Sequence, residues 1–197
     1  MLKNLNFLFV GFFVYRIMVY LRMSNLKKIL TRILFFITFI FSQWSTDPST
    51  PIDIGTGIQP QIAPMSDGSV YIAWLTDGNY HVYIQHIDVN GETQFDESGM
   101  LVSNHNNASW IAVFHMNLIV DSEDNAIITV LDERSGPWNV YAYKISPDGT
   151  MLWGENGIAL SSSNEVNYSP RSTVLPDNSV VVAWSPNSSN IRIQRIY

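Results

Sequence analysis

The octapeptide Asp67-Gly-Ser-Val-Tyr-Ile-Ala-Trp74 returns as Asp177-Asn-Ser-Val-Val-Val-Ala-Trp184 with five of eight positions identical, and a degenerate copy, Asp124-Asn-Ala-Ile-Ile-Thr-Val-Leu131, lies between them. A repeat of near-fixed period restricts a chain to stacked supersecondary units, because one such unit is too small to bury its own apolar face. The copies run on beyond the octapeptide. Val82-Tyr-Ile-Gln-His-Ile87 matches Val140-Tyr-Ala-Tyr-Lys-Ile145 and Asn190-Ile-Arg-Ile-Gln-Arg-Ile196, with Gln85 aligned to Gln194. Four residues after Ile87 and Ile145 comes a glycine (Gly91, Gly149), four further an aromatic (Phe95, Trp153), and four beyond that a second glycine (Gly99, Gly157). The offsets are 57 residues from Asp67 to Asp124, 53 from Asp124 to Asp177 and 58 from Gly91 to Gly149.

Inside each copy the pattern is that of strands. Val70–Leu75, Val82–Ile87, Ala126–Leu131, Val140–Ile145 and Val180–Trp184 are short runs rich in Val, Ile and Tyr, bounded by Asp-Gly, Asn-Gly and Pro-Asp-Gly turns. After position 44 no long window carries a helical period. Each copy reads as four antiparallel strands, in the first roughly Gln59–Met65, Ser69–Leu75, Tyr80–Asp88 and Gly99–Ser103. The tight turns then lie at one end of the sheet. The variable loops, Thr76–Asn79, Asp132–Asn139 and Ser185–Ser189, lie at the other. Val70 to Leu75 is apolar on both faces, so the strand should be covered on both sides. Four-stranded sheets stacked face to face satisfy this, and the expected fold is an all-β partial β-propeller of about two and a half blades (58–109, 110–168 and an incomplete 169–197).

Ahead of the repeats, residues 43–57 are rich in Pro, Ser, Thr and Gly and read as a linker. Residues 23–42 read as a signal peptide: Lys27, Lys28 and Arg32 precede the apolar run Ile33–Phe41, and Ser42 offers cleavage ahead of Gln43. That run is shorter than the ~20 residues that span a bilayer. Residues 1–22 read as a mis-called extension before a true start at Met23. The rival is an extra hydrophobic segment that keeps the chain at a membrane.

From Gln43 onward the chain carries 17 acidic and 5 basic residues, a net charge of −12. Such a surface repels phosphate backbones and excludes nucleic acid as a partner. With no cysteine there is no disulfide, thiolate metal site or Cys nucleophile.

The pattern Asp-Gly-x4-Ala-Trp, then Tyr-x-Gln-x-Ile-Asp-x2-Gly, then an aromatic and a further Gly resembles the propeller-like repeats of exported bacterial proteins, many of which carry a sorting tail for type IX secretion in Bacteroidetes-like organisms. The resemblance covers about residues 59–197. It implies secretion or display at the cell surface, and makes the chain look like part of a longer reading frame, with self-association through open blade edges as the alternative. Ser146-Pro-Asp-Gly-Thr-Met-Leu-Trp153 further resembles the Asp-box turn of sialidase-type propellers, one spacer residue short. Even an intact Asp-box is a folding turn.

The recurring Trp74, Trp184, Trp153 and Phe95 read as packing between sheets. Trp110 and Trp138 do not recur and lie in or beside long loops, where an aromatic can stack on a sugar ring. The loop Asp132-Glu-Arg-Ser-Gly-Pro-Trp138 combines carboxylates, a guanidinium and an aromatic, as carbohydrate or peptide sites often do. Asp132, Arg134, Trp138 and Trp110 are therefore the candidate ligand-binding residues, against the alternative that Arg134 neutralises Asp132 and Glu133. His81, His86, His105 and His115 show no zinc-binding spacing. His86 aligns with Lys144 and Arg195 and reads as solvent-facing. Asp121, Glu123 and Asp124 lack the spacing of a calcium loop and read as turn charge. No catalytic residue, metal site or cofactor is assigned. The expected function is a secreted, non-catalytic binding or cell-surface module whose variable-loop face takes a carbohydrate or protein. The alternative is part of a sialidase- or glycoside-hydrolase-like propeller enzyme.

Overall fold

The structure is a computed structural model that describes residues 27–28, 44–45, 47–105, 116–162, 164–187 and 190–197. The segments read as an extension and a signal peptide lie outside the described residues, except for the helical Lys27 and Lys28. No helix among the described residues is long and apolar enough to cross a membrane. The chain divides after Gln43, and every strand lies in Trp44–Tyr197.

Eleven strands form three antiparallel sheets among the described residues. The first contains β1 (Ile58–Pro64), β2 (Val70–Leu75), β3 (Val82–Ile87) and β4 (Met100–Ser103) in that order. The second repeats the order with β5 (Asn117–Val120), β6 (Ala126–Asp132), β7 (Asn139–Ile145) and β8 (Ile158–Ala159). The third holds β9 (Asn167–Val174), β10 (Val180–Pro186) and β11 (Arg192–Ile196). Consecutive pairing puts the Asx and Gly turns at one end and the variable loops at the other, as the repeat predicts.

Face-to-face packing follows from the strand registers. Tyr71, Ala73 and Leu75 of the first sheet pack against Ala126, Ile128 and Val130 of the second. Ile127 and Leu131, on the opposite face of the second, pack against Val180, Val182 and Trp184 of the third. All seven residues of β6 are accordingly buried. Three blade-like sheets share two apolar layers, the architecture of a partial β-propeller.

The structure corrects the alignment of the middle copy by one residue. Met65 N bonds to Ser69 O, Asp121 N to Asn125 O and Leu175 N to Ser179 O, so the residues equivalent to Asp67 are Glu123 and Asp177. Asp124 instead matches Gly68 and Asn178. The turn fixes that position through its backbone: φ is +94° at Gly68 and +61° at both Asp124 and Asn178, a region that Gly, Asn and Asp enter most readily. What recurs is positive φ, not a carboxylate. A one-residue slip in a strand exchanges its two faces, so only the corrected register sends Ile127 and Leu131 toward the third sheet.

The same positions join the sheets. Ser66 donates to Asp124 through its N–H (2.7 Å) and its hydroxyl (2.5 Å). One repeat later, Ser122 donates to Asn178 Oδ1 in the same way, at 3.2 and 2.6 Å. Gly68 has no side chain to reach back with, and Pro176, which follows Ser66 and Ser122 in register, has neither N–H nor hydroxyl to offer. This clasp therefore links the three sheets and no neighbour on either side. Asp124→Gly keeps the backbone preference while deleting the clasp, and is expected to cost about 1–2 kcal/mol, lowering the melting temperature by about 2–8 °C. A wild-type melt for this variant would mean the clasp contributes nothing.

Two further expectations change. Trp44 and residues 47–57, in the segment read as a linker, lie across the outer face of the first sheet. Trp44, Pro51, Ile52 and Ile54 line an apolar recess of about 170 Å³ with Ile72 and Ile87. Gly55 and Gly57 approach the Trp74 indole so closely that a Cβ would lie 2.8 and 2.1 Å from it, and one on Gly99 would lie 2.5 Å away. Gly157, equivalent to Gly99, lies likewise against the Tyr143 ring, which explains the recurring glycine. His86, expected to face solvent, is half-buried because the second sheet covers it: its ring is 5.2 Å from that of Tyr71 and its Nδ1 is 3.3 Å from Pro147 O. Lys144, at the same register, pairs with the buried Asp121 at 2.8 Å. Only on the third sheet is the corresponding face open, with Ile193 and Tyr197 70% and 83% exposed.

Candidate functional site

Three of the four sequence candidates lie at the end of β6 or on the β6–β7 connection. Leu131 of β6 is equivalent to Leu75 of β2 and Val140 of β7 to Val82 of β3, so Asp132 stands where Thr76 does. Between the paired residues, Thr76 and His81 enclose four residues and Asp132 and Asn139 enclose six. The longer loop folds back on its own sheet. Arg134 lies with its guanidinium carbon 3.8 Å from the Tyr141 ring centre. Its Nε and Nη2 donate to Asp132 Oδ2 at 2.8 and 2.5 Å. Nη1 donates to the Asn156 carbonyl at 2.8 Å, and Nη2 also donates to the Tyr143 hydroxyl.

A guanidinium has five N–H donors, and four of these are engaged. Asp132 is wholly buried, and its other oxygen accepts the Arg134 N–H at 3.1 Å. Burial works against the Arg134 charge, but the bonds to Asp132 and Tyr143 outweigh it and push the pKa above its ordinary value. Of the two carboxylates weighed as partners of Arg134, the geometry selects Asp132. Glu133 accepts instead from Trp138 Nε1 at 2.9 Å.

Trp138 ties this loop to the third sheet. Its ring meets that of Tyr168 edge-on at 5.9 Å, and its carbonyl accepts from Asn167 N and Nδ2 at 3.2 and 3.0 Å. The structure thus brings Asp132, Arg134 and Trp138 together as a brace within the fold, with Arg134 turned on Asp132 and Trp138 on Glu133 and Asn167. Trp110 lies outside the described residues. The resemblance to an Asp-box is likewise structural in geometry: Thr150 N donates to Ser146 Oγ and Asp148 Oδ1 at 3.0 and 3.2 Å, closing the turn.

A second arrangement, with little trace in the sequence, lies on the outer face of the first sheet. A cleft of about 690 Å³ is lined by Asp53, Thr56, Trp74, Tyr83, Glu97 and Ser98, with Gly55, Thr76 and Thr93 completing it. Trp74 and Tyr83 stack at 6.1 Å with 20° between their planes, forming an aromatic wall. Asp53 accepts the Gly55 N–H at 3.2 Å, which holds its carboxylate at the rim, and both Asp53 and Glu97 are exposed. Two carboxylates, the hydroxyls of Thr56, Thr76, Thr93 and Ser98 and an aromatic wall can bind a polar, partly apolar or cationic ligand. The one trace in the sequence is the pair Gly55 and Gly57, small because the Trp74 indole lies against them.

Sheet order, two shared apolar layers and the turn clasp define an all-β repeat protein of partial β-propeller type. No family model matches the chain, and no curated protein does. Among solved structures it is similar to the intramolecular trans-sialidase from Ruminococcus gnavus, at 13% identity over 72% of this chain and 32% of that one, with a TM-score of 0.44. It is also similar to the leech intramolecular trans-sialidase (15% identity, 70% and 23% coverage, TM-score 0.45) and to the NanB sialidase from Streptococcus pneumoniae (14%, 71% and 21%, TM-score 0.44). The chain spans about a third or less of the length of these proteins. Likeness at this level says nothing of activity or substrate, and the fold rests on this chain's own sheets and registers.

Proposed function

We propose that this chain is an exported, non-catalytic binding module of β-propeller type, and that its ligand seats in the cleft on the first sheet. The observation that carries the reading is the cleft itself, in which the stacked Trp74 and Tyr83 stand beside Asp53 and Glu97. The other cluster of site-like residues is occupied by its own contacts: Arg134 has four donors engaged, and Trp138 packs between sheets. Export is supported by Lys27, Lys28 and Arg32 ahead of the short apolar run from Ile33. Carbohydrate and peptide are the two ligand classes that suit an aromatic wall with polar flanks.

Glycan and peptide arrays probed with the wild-type chain and with Glu97→Gln test the reading. Retention on at least one array, reduced severalfold by the variant, is the expected result, and binding that ignores Glu97→Gln removes the cleft from consideration. N-terminal sequencing of protein recovered from medium is expected to begin at Gln43. Hydrolysis of a glycoside by the purified protein contradicts the non-catalytic part.

A further inference from the structure

The second sheet contains a filled version of the cleft that the first sheet leaves open. The registers β3–β4 and β7–β8 pair Tyr83 with Leu101 and Tyr141 with Ala159, and the bridges Ile87–Thr93 and Ile145–Met151 fix the same offset. Tyr83 is therefore equivalent to Tyr141, Glu97 to Glu155 and Ser98 to Asn156. On the second sheet the place in front of the tyrosine holds the Arg134 guanidinium, 3.8 Å from the ring centre and bonded to a carboxylate and to the Asn156 carbonyl. On the first sheet the equivalent tyrosine and the equivalent Ser98 line the cleft, and the shorter loop Asp77-Gly-Asn-Tyr80 supplies no cation.

Carboxylates are nevertheless present there. Asp53 enters from the N-terminal segment and Glu97 from the approach to β4. A planar guanidinium both stacks flat on an aromatic face and forks onto carboxylate and carbonyl oxygens, whereas an ammonium is a compact point charge that offers neither a flat face nor a fork. We infer that the first-sheet cleft binds a guanidinium supplied by a partner, the arginine side chain of a peptide or protein, in the place that Arg134 fills on the second sheet. This rests on the binding-module reading above and specifies its ligand.

The test uses the full chain and the peptide acetyl-Gly-Arg-Gly-amide, with the neutral citrulline peptide and the lysine peptide as comparators. Binding is followed through the Trp74 indole N–H resonance, assigned by its loss in Trp74→Phe. The arginine peptide is expected to shift that resonance saturably. Citrulline should bind at least about tenfold more weakly, and Glu97→Gln and Asp53→Asn should each weaken the arginine peptide about 3–10-fold. Both carboxylates are exposed, so these two variants keep the fold.

No saturable shift with the arginine peptide, equal binding of the citrulline peptide, or binding indifferent to both carboxylate variants overturns the inference. An array ligand that depends on Glu97 while the arginine peptide fails would leave the binding module standing and remove only its guanidinium specificity. Loss of every cleft-dependent array ligand would remove both.

Discussion

Arg134→Ala is expected to destabilise the protein by about 3–5 kcal/mol, because it strands the wholly buried Asp132 carboxylate without its counter-ion. The same substitution also removes the stack on Tyr141 and the donors to Asn156 O and Tyr143. For a fold of this size the melting temperature should fall by about 6–20 °C. Pairing Arg134→Met with Asp132→Asn should recover much of the loss, since neither charge is then left buried alone. A ligand-binding role would give the opposite pattern, with unchanged melting and lost binding. Thermal unfolding of the single and double variants separates the two, and an Arg134→Ala protein as stable as wild type would show that the pair contributes nothing to the fold.

Asp121 carries the second large effect, and this one depends on pH. Its carboxylate is buried, which by itself raises the pKa. The Lys144 ammonium at 2.8 Å and hydrogen bonds from Asn125 and Glu123 outweigh that and hold it below the ordinary carboxylate value. A carboxyl whose pKa is lower folded than unfolded stabilises the fold fully above its unfolded pKa of about 3.9, and this contribution disappears as pH falls through the folded value. Asp121→Asn should therefore cost about 2–4 kcal/mol at pH 7, because it removes the counter-ion of Lys144. The deficit should shrink as pH falls below about 3.9 and wild-type Asp121 also becomes neutral. Melting curves over that range check it, and a gap between wild type and variant that stays constant with pH would refute the assignment.

These effects show how a polar residue in a repeat is decided by its neighbours. Asp121 occupies the turn position held by Met65 and Leu175 in the other copies, and nothing local marks it as one half of a buried ion pair. Lys144, His86 and Arg195 share one register position yet meet three environments: the carboxylate of Asp121, the ring of Tyr71, and open solvent beside Asp177. The difference lies in which face has a neighbouring sheet. Arg134 and Asp132 drew attention in the sequence as an aromatic-flanked charge cluster, and the structure does bring them together, but toward each other.

What the sequence by itself determined is the repeating unit. Short runs rich in Val, Ile and Tyr at Val70–Leu75, Val82–Ile87 and Val140–Ile145, with Gly and Asx at the turns, placed most strand boundaries within a residue or two, because local backbone preference acts over a few residues. It also set the four-strand meander and the two-sided burial of the second strand, both consequences of the apolar pattern. Only the tertiary structure decided the true register of the middle copy, since a backbone φ at Asp124 outranked the matching carboxylate. It alone placed Trp44 and residues 47–57 over the first sheet, where composition suggested a linker, because apolar contact with Ile72 and Ile87 involves residues far apart in the chain. The cleft follows from the same long-range packing. Asp53, Tyr83 and Glu97 have no spacing in common, and they become neighbours only when the N-terminal segment lies down across Trp74.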